Sequence, residues 1–436
     1  MGQSYRRPQM ETPAGWTGST GGTTAVDPGW WNHFHSAELD ALMQRAMAGN
    51  FDLQAAYARM EEARAQAQIA GAPLYPSVNL TASANGGSGP SSTRVSGVFA
   101  QASYELDFWG KNRAAAESAA ALAQASAFDA QTVAVTLEAS LADTYFEVLS
   151  LRERVRLAQR IADDARRVLS LVQAQAAGGI ASQLEVEQQR NALATFQAAT
   201  VTLQQQLEQT LHLLAILTGQ APESFQAQGA SAMDLAVPQV QAGLPASALQ
   251  RRPDLGAAEA RLISAHFDID KARAAFFPGF TLTGQAGVGN TSLSNFFPPV
   301  AIVNLVGGLL QPIFAGGALQ GQLRYDRAHA VELAATYRQT VIAALQDVED
   351  GLTAAQRSQD LEEANEDAVE SARHAAQLAR ARFEAGTVDF LTVLTTERTR
   401  YQAEDAMLTT RLSRLQAAVR LFRALGGGFG TGGKPS

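Results

Sequence analysis

The chain has 436 residues, a formal charge of −8 and no cysteine. The mild acidity and the lack of a basic stripe argue against a nucleic-acid partner, and the missing cysteines remove disulfide and thiolate chemistry. No run of about 18 apolar residues supplies a membrane-spanning helix, and Met1 is followed by polar residues rather than a signal peptide, as in a mature or truncated form of an exported protein.

Residues 1–70 read as an N-terminal segment followed by first helices. Over 76–108 the pattern changes to period two. Val78 to Asn85 alternates polar and apolar residues, and so does Val98 to Phe108, with Gln101, Ser103, Glu105 and Asp107 on one side. A Gly/Ser loop, 86–94, separates the two strands. Residues 112–219 form the next segment. Proline is absent between Pro90 and Pro222, which permits very long helices. Ala134, Leu137, Leu141, Thr144, Val148, Leu151, Val155, Ala158, Ala162, Ala165, Leu169 and Val172 recur in steps of three and four, a coiled-coil seam rich in small residues. A helix over about 113–177 would be roughly 95 Å long. Gly178-Gly179 ends it, and a second helix returns over about 183–217.

A linker, 220–253, leads to a helix at 254–277. A second strand pair over 279–314 follows: Phe280 to Ala286, a loop at 291–299, and a weaker strand near 302–310. Residues 318–425 repeat the helical hairpin, with helices at about 319–384 and 391–425 joined by a turn at Gly386, and 426–436 form a tail. The second half echoes the first. Asp52-Leu53-Gln54-Ala55-Ala56-Tyr57-Ala58-Arg59 returns 202 positions later as Asp254-Leu255-Gly256-Ala257-Ala258-Glu259-Ala260-Arg261, and Gly179, Leu184 and Gly219 are answered by Gly386, Leu391 and Gly426. Such a long period is a duplicated domain rather than a solenoid unit.

The fold class is thus mainly α with a small β part: duplicated long helical hairpins, as a coiled-coil α-barrel, plus four β-strands. Strands with one greasy and one polar face suit a membrane-spanning barrel, though a half-buried hairpin on a soluble core shares the pattern. Tyr75, Trp109, Phe276, Phe277, Phe296 and Phe297 are placed to form interfacial girdles. Leu80, Leu106 and Leu282 are expected to face lipid, and Thr81, Gln101, Glu105 and Thr283 the lumen. Four strands cannot close a barrel, so closure requires sharing between chains, and three copies give about twelve strands.

Trp31, Phe34, Leu39, Leu42 and Asn50-Phe51-Asp52-Leu53, the run from Gly243 to Asp254 (GLPASALQRRPD), Ala272 to Pro278, and Leu425-Gly426-Gly427-Gly428-Phe429 together resemble the TolC family of outer-membrane efflux ducts, in particular its OprM-like lipoprotein branch. The resemblance spans nearly the whole chain. It implies a homotrimer, a β-barrel in outer-membrane lipid, a helical barrel in the periplasm and an equatorial belt from about 220–250 and both termini. Its implied partners are a periplasmic membrane-fusion adaptor and an RND-type inner-membrane transporter. The implied role is a passive exit for drugs or other small toxic compounds. Protein secretion or metal efflux on the same fold, or a soluble coiled-coil scaffold, are the alternatives. Tyr5-Arg6-Arg7-Pro8 resembles the start of the mature lipoproteins, but the lipidated cysteine that precedes it in the family has no counterpart here.

Nothing in the sequence argues for an enzyme, a metal site or a cofactor: His33 and His35 lack companion ligands, and no nucleophile motif or phosphate loop occurs. The resemblance instead points to the hairpin tips. Leu391 falls on the family's gate leucine and Arg398 on a family arginine nearby. Thr395 stands where the family has an aperture aspartate, leaving Asp389 and Glu397 as candidate carboxylates at that level. Gly178, Gly179, Ile180, Gly386, Thr387 and Val388 form the tips expected to meet the adaptor. Pro253 and Asp254 suit a helix start, while Arg251-Arg252 reads either as part of the family signature or as a solvated basic pair.

Overall fold

A computed structural model describes residues 5–10, 13–17, 27–84, 96–229, 231–240, 242–290 and 300–427. In chain order the main elements are α1 (Ala37–Gly49), α2 (Phe51–Gly71), β1 (Ser77–Ser83), β2 (Ser96–Leu106), α3 (Lys111–Ala177), α4 (Gln183–Leu217), α5 (Pro245–Gln250), α6 (Pro253–Ala274), β3 (Gly279–Asn290), β4 (Val300–Leu310), α7 (Ala318–Glu384) and α8 (Phe390–Ala424). The duplication holds in length: α3 and α7 each have 67 residues, α4 and α8 each 35. Among the described residues no helix is long and apolar enough to cross a membrane. The two expected strand-connecting loops, with Phe296 and Phe297, lie outside the described residues, as do Gly428 and Phe429.

The chain divides into two compact units. The first holds 57–130, 254–340 and the N-terminal decapeptide. Its sheet runs β1-β2-β3-β4, antiparallel throughout. β3 extends to Asn290, beyond the expected end at Ala286. Gly287 and Gly289 break the alternation that sequence reading follows, but the Phe99 ring covers Gly287 and keeps β3 paired with β2 there. At the other end of the sheet, Trp109 stacks on Phe277 at 4.7 Å and donates its indole N–H to the Pro278 carbonyl at 2.8 Å. Asp107 accepts from the backbone N–H groups of Asn112 and Arg113 (3.0 and 2.7 Å), so the strand end caps the orphan donors of α3. Arg7 makes a two-bond pair with Glu259, fastening the N-terminal segment to α6.

The second unit holds 11–56, 131–253 and 341–436. Eleven of the twelve expected seam residues of α3 are buried, and Leu169 is partly so. Thr144 fits among them because its hydroxyl bonds back to the Ser140 carbonyl at 2.7 Å. Trp30, Phe34, Leu39, Leu42, Leu141, Phe146, Leu415 and Phe422 share one core, with Trp30 stacked on Phe422 at 5.0 Å. Each return helix ends on the same socket. A Cβ at Gly219 would lie 2.1 Å from the Gly49 carbonyl oxygen, and one at Gly426 would lie 2.7 Å from that of Arg251. Beside these contacts, Asn50 donates to the Leu217 carbonyl (3.1 Å) and Arg252 to the Ala424 carbonyl (3.2 Å). Arg252 also pairs with Asp347 at 2.9 Å. Of the two readings of Arg251-Arg252, the solvated pair does not hold for Arg252, which is a structural clamp at the base of the second hairpin.

Candidate functional site

The sheet and the hairpin tips carry the candidate sites. In the sheet, register decides which side chains share a face. Leu80 pairs with Ala100, and Ala100 with Ala286; Leu106 pairs with Phe280, and Tyr104 with Leu282. Since alternate residues share a face, Leu80, Leu106 and Leu282 lie on one side and Thr81, Gln101, Glu105 and Thr283 on the other. β4 is apolar on both sides except for Asn304, with Val303, Leu305 and Leu309 continuing the greasy face. Its lack of alternation made it the weakest strand to read. β1 and β4 are the two edges. Tyr75, Ile313 and Phe314 are strongly exposed near the strand ends. Sequence reading missed Ile313 and Phe314, although Phe314 answers Phe108 in the repeat.

Both tips are built alike. Gly179 (φ 74°) and Gly386 (φ 72°) take the left-handed conformation. The following N–H groups, of Ile180 and Thr387, bond back to the carbonyls of Gln175 and Arg382 at 2.9 Å each, closing the helix ends. Ser182 then caps α4 in a reciprocal pair with Glu185. Asp389 caps α8, accepting from the Thr392 N–H (2.9 Å) and hydroxyl (2.5 Å). Those bonds favour the carboxylate and hold Asp389 below its ordinary pKa. Gly178, Gly179, Gly386 and Thr387 are exposed, Ile180 is 81% exposed, and Val388 is half-buried.

Just past the cap, Phe390 is 2% exposed among Val172 and Val186, while Leu391 is 55% exposed. Phe390 fixes the rotation of α8 and thereby turns Leu391 outward. Thr395 and Arg398 follow four and seven residues on, along the same exposed stripe. The Thr395 hydroxyl bonds to the Leu391 carbonyl at 2.8 Å, and Arg398 makes no hydrogen bond or ion pair among the described residues. Glu397 pairs with Arg400 at 2.7 Å, and Arg400 reaches Asp164 on α3 at 3.2 Å. Further along, Arg154 of α3 grips Asp405 of α8 with two bonds, 2.7 and 3.0 Å. Arg400, Asp164, Arg154 and Asp405 were not singled out from sequence. Only the Glu397–Arg400 spacing carried a signal, as an i,i+3 pair.

Among the described residues no cluster of three or more His, Cys, Asp or Glu could hold a metal, and His33 stacks over Phe422 with ring centroids 6.3 Å apart. The chain thus combines a two-faced sheet with two edge strands and duplicated helical hairpins. The comparisons agree. The family model described as outer membrane efflux protein matches residues 42–220 and 244–427. A pyoverdine export outer membrane protein, OpmQ of Pseudomonas putida, is 40% identical over 433 residues, covering 96% of this chain and 92% of OpmQ. The toluene efflux pump outer membrane protein TtgC of Pseudomonas putida is 30% identical over 446 residues, covering 98% and 92%. The solved structure of the outer-membrane channel OprN superposes with a TM-score of 0.91 at 28% identity, covering 98% of this chain and 99% of that one. The chain belongs to the outer membrane efflux protein family; it is an efflux channel of the outer membrane that extends into the periplasm.

Proposed function

We propose that the protein is the passive exit duct of a tripartite pump, assembled as a homotrimer. The register of the sheet supports this most directly. It gives one face of Leu80, Leu106 and Leu282, an opposite polar face, and two unpaired edges that lipid does not tolerate. Three copies supply about twelve strands, within the range of outer-membrane barrels. The greasy face then meets lipid, and Thr81, Gln101, Glu105 and Thr283 line the lumen.

The exposed stripe of Leu391, Thr395 and Arg398 is the periplasmic gate, where three leucines converge and resist wetting. The tips at Gly178–Ile180 and Gly386–Val388 meet a periplasmic adaptor, which couples the duct to an inner-membrane transporter of the RND type. As a conduit the chain performs no catalysis. Its cargo is a secreted small molecule: the likeness to OpmQ, at 40% identity, favours a compound like the pyoverdine named for OpmQ over the toluene named for TtgC. Light scattering in detergent, corrected for bound detergent, tests the assembly. A trimer is expected, and a stable folded monomer would sink the architecture.

A further inference from the structure

At one level of the sheet, all four strands place an amide on the same face. Asn79 pairs with Gln101, Gln101 with Gln285, and Gln285 with Asn304. Sequence reading picked out Gln101 alone; the other three join it only through register. With strands about 4.8 Å apart the row spans roughly 14 Å. None of the four side chains makes a hydrogen bond among the described residues, and each is exposed or half-buried. The neighbouring levels on this face are uncharged too. Ser77, Ser103, Thr283 and Val306 lie on one side of the row. On the other side lie Thr81, Phe99, Gly287 and Ile302, with the Phe99 ring 6% exposed against the glycines. Among the described residues of the four strands this face has one carboxylate, Glu105, which accepts from the Lys111 ammonium at 2.5 Å.

An amide offers two N–H donors and an acceptor without net charge. A ring of carboxylates or guanidiniums would select cargo by its sign, whereas this face offers hydrogen bonds to any amide, hydroxyl or carbonyl and no Coulombic preference. We propose that Asn79, Gln101, Gln285 and Asn304 form a neutral hydrogen-bonding belt around the barrel lumen that recognises amide- and hydroxyl-bearing cargo. The proposal rests on the trimeric-barrel reading, in which the belt becomes a ring of about twelve amides.

The test is block of potassium chloride current through the full-length protein in planar bilayers by N-acetyl-tetraglycine amide added on the barrel side. Gln101→Met with Gln285→Met keeps side-chain length and removes the hydrogen bonds. Asn79→Leu with Asn304→Leu is an independent pair should the first not assemble. The wild type is expected to be blocked, and the midpoint concentration should rise about tenfold in either pair, since each lost hydrogen bond weakens holding several-fold, with single-channel conductance retained. An unblocked wild type, unchanged midpoints in the variants, or stronger block by tetraethylammonium or citrate would each overturn the belt. Absence of trimer and pore in the wild type would overturn the barrel reading and the belt with it.

Discussion

If the gate proposed at Leu391 opens by moving α8 away from α3, an ion pair between those helices is among the contacts that resist it, together with the buried Phe390. Arg154 and Asp405 form a two-bond ion pair between those helices, with both side chains about a quarter exposed. A charge-assisted pair of this geometry is worth more than a surface contact but is discounted by its solvent access, so ~1 kcal/mol per chain is a fair magnitude. Asp405→Asn keeps shape and removes the charge. In a trimer the three losses sum to ~3 kcal/mol, which shifts the closed-to-open ratio about a hundredfold. Single-channel recording in planar bilayers reads this as a rise in open probability. Arg373 and Glu404 provide the control: their 2.6 Å pair joins α7 to α8 inside one hairpin, so Arg373→Gln should leave gating alone. Exchanging the charges, Arg154→Asp with Asp405→Arg, should restore closure. If Asp405→Asn gates like the wild type, or Arg373→Gln opens the pore equally, the latch does not lie between α3 and α8.

Three further outcomes are expected. Leu391→Ser should raise conductance by wetting the constriction, with Arg398→Ala having a smaller effect; wild-type conductance in Leu391→Ser would move the constriction elsewhere. Leu282→Arg should destabilise the barrel by about 2–4 kcal/mol, far more than Thr283→Arg, and equal melting of the two variants would show that β3 does not face lipid. Burial raises the pKa of Glu138 to about 7 from 4.5; the Trp30 indole lies near enough to lower it somewhat, but its N–H makes no hydrogen bond, so burial prevails. Burial moves Asp143 the same way, to about 6 from 3.8. The folded chain therefore holds protons that the unfolded chain releases. The contribution of these two groups to stability is full below pH ~4 and is lost as pH rises to ~7, by about 3 kcal/mol per chain from Glu138. Melting followed by circular dichroism from pH 4 to 8 should show this slope, reduced in Glu138→Gln; an unchanged slope would exclude Glu138 as its source.

Patterns that depend on local spacing were legible in the sequence. The proline-free stretch and the three-and-four seam announced α3, the repeat announced α7, and the period-two runs announced β1, β2 and most of β3. What the sequence hid depended on partners far along the chain. Whether Arg252 is solvated or clamped is decided by Asp347 and by the Ala424 carbonyl, 95 and 172 residues away. Which of Phe390 and Leu391 turns inward is decided by Val172 and Val186, because two adjacent apolar residues carry no phase of their own. Asp389 was partly legible: an aspartate ahead of an apolar helix start is a capping signal, and the structure uses its carboxylate for Thr392 as well as placing it at the tip.

The duplicated hairpins are fastened unequally along their length. At the base, backbone meets backbone: Gly219 rests on Gly49 and Gly426 on Arg251, at separations that leave no room for a methyl group. Interfaces so close cannot slide by degrees, because close-packed contacts give way in steps rather than deform continuously. Toward the tips the fastening changes to caps that each helix supplies to itself, to the ion pairs Asp164–Arg400 and Arg154–Asp405, about a quarter exposed, and to the apolar seat of Phe390 against Val172 and Val186. The ion pairs are weak singly and break one at a time. A force applied at the exposed turns would have to unseat Phe390 as well as break these pairs before the stripe of Leu391, Thr395 and Arg398 could move. On the proposed gating, the ion pairs between α3 and α8 are the contacts that can exchange partners, whereas the glycine sockets and the Phe390 seat must hold or release whole.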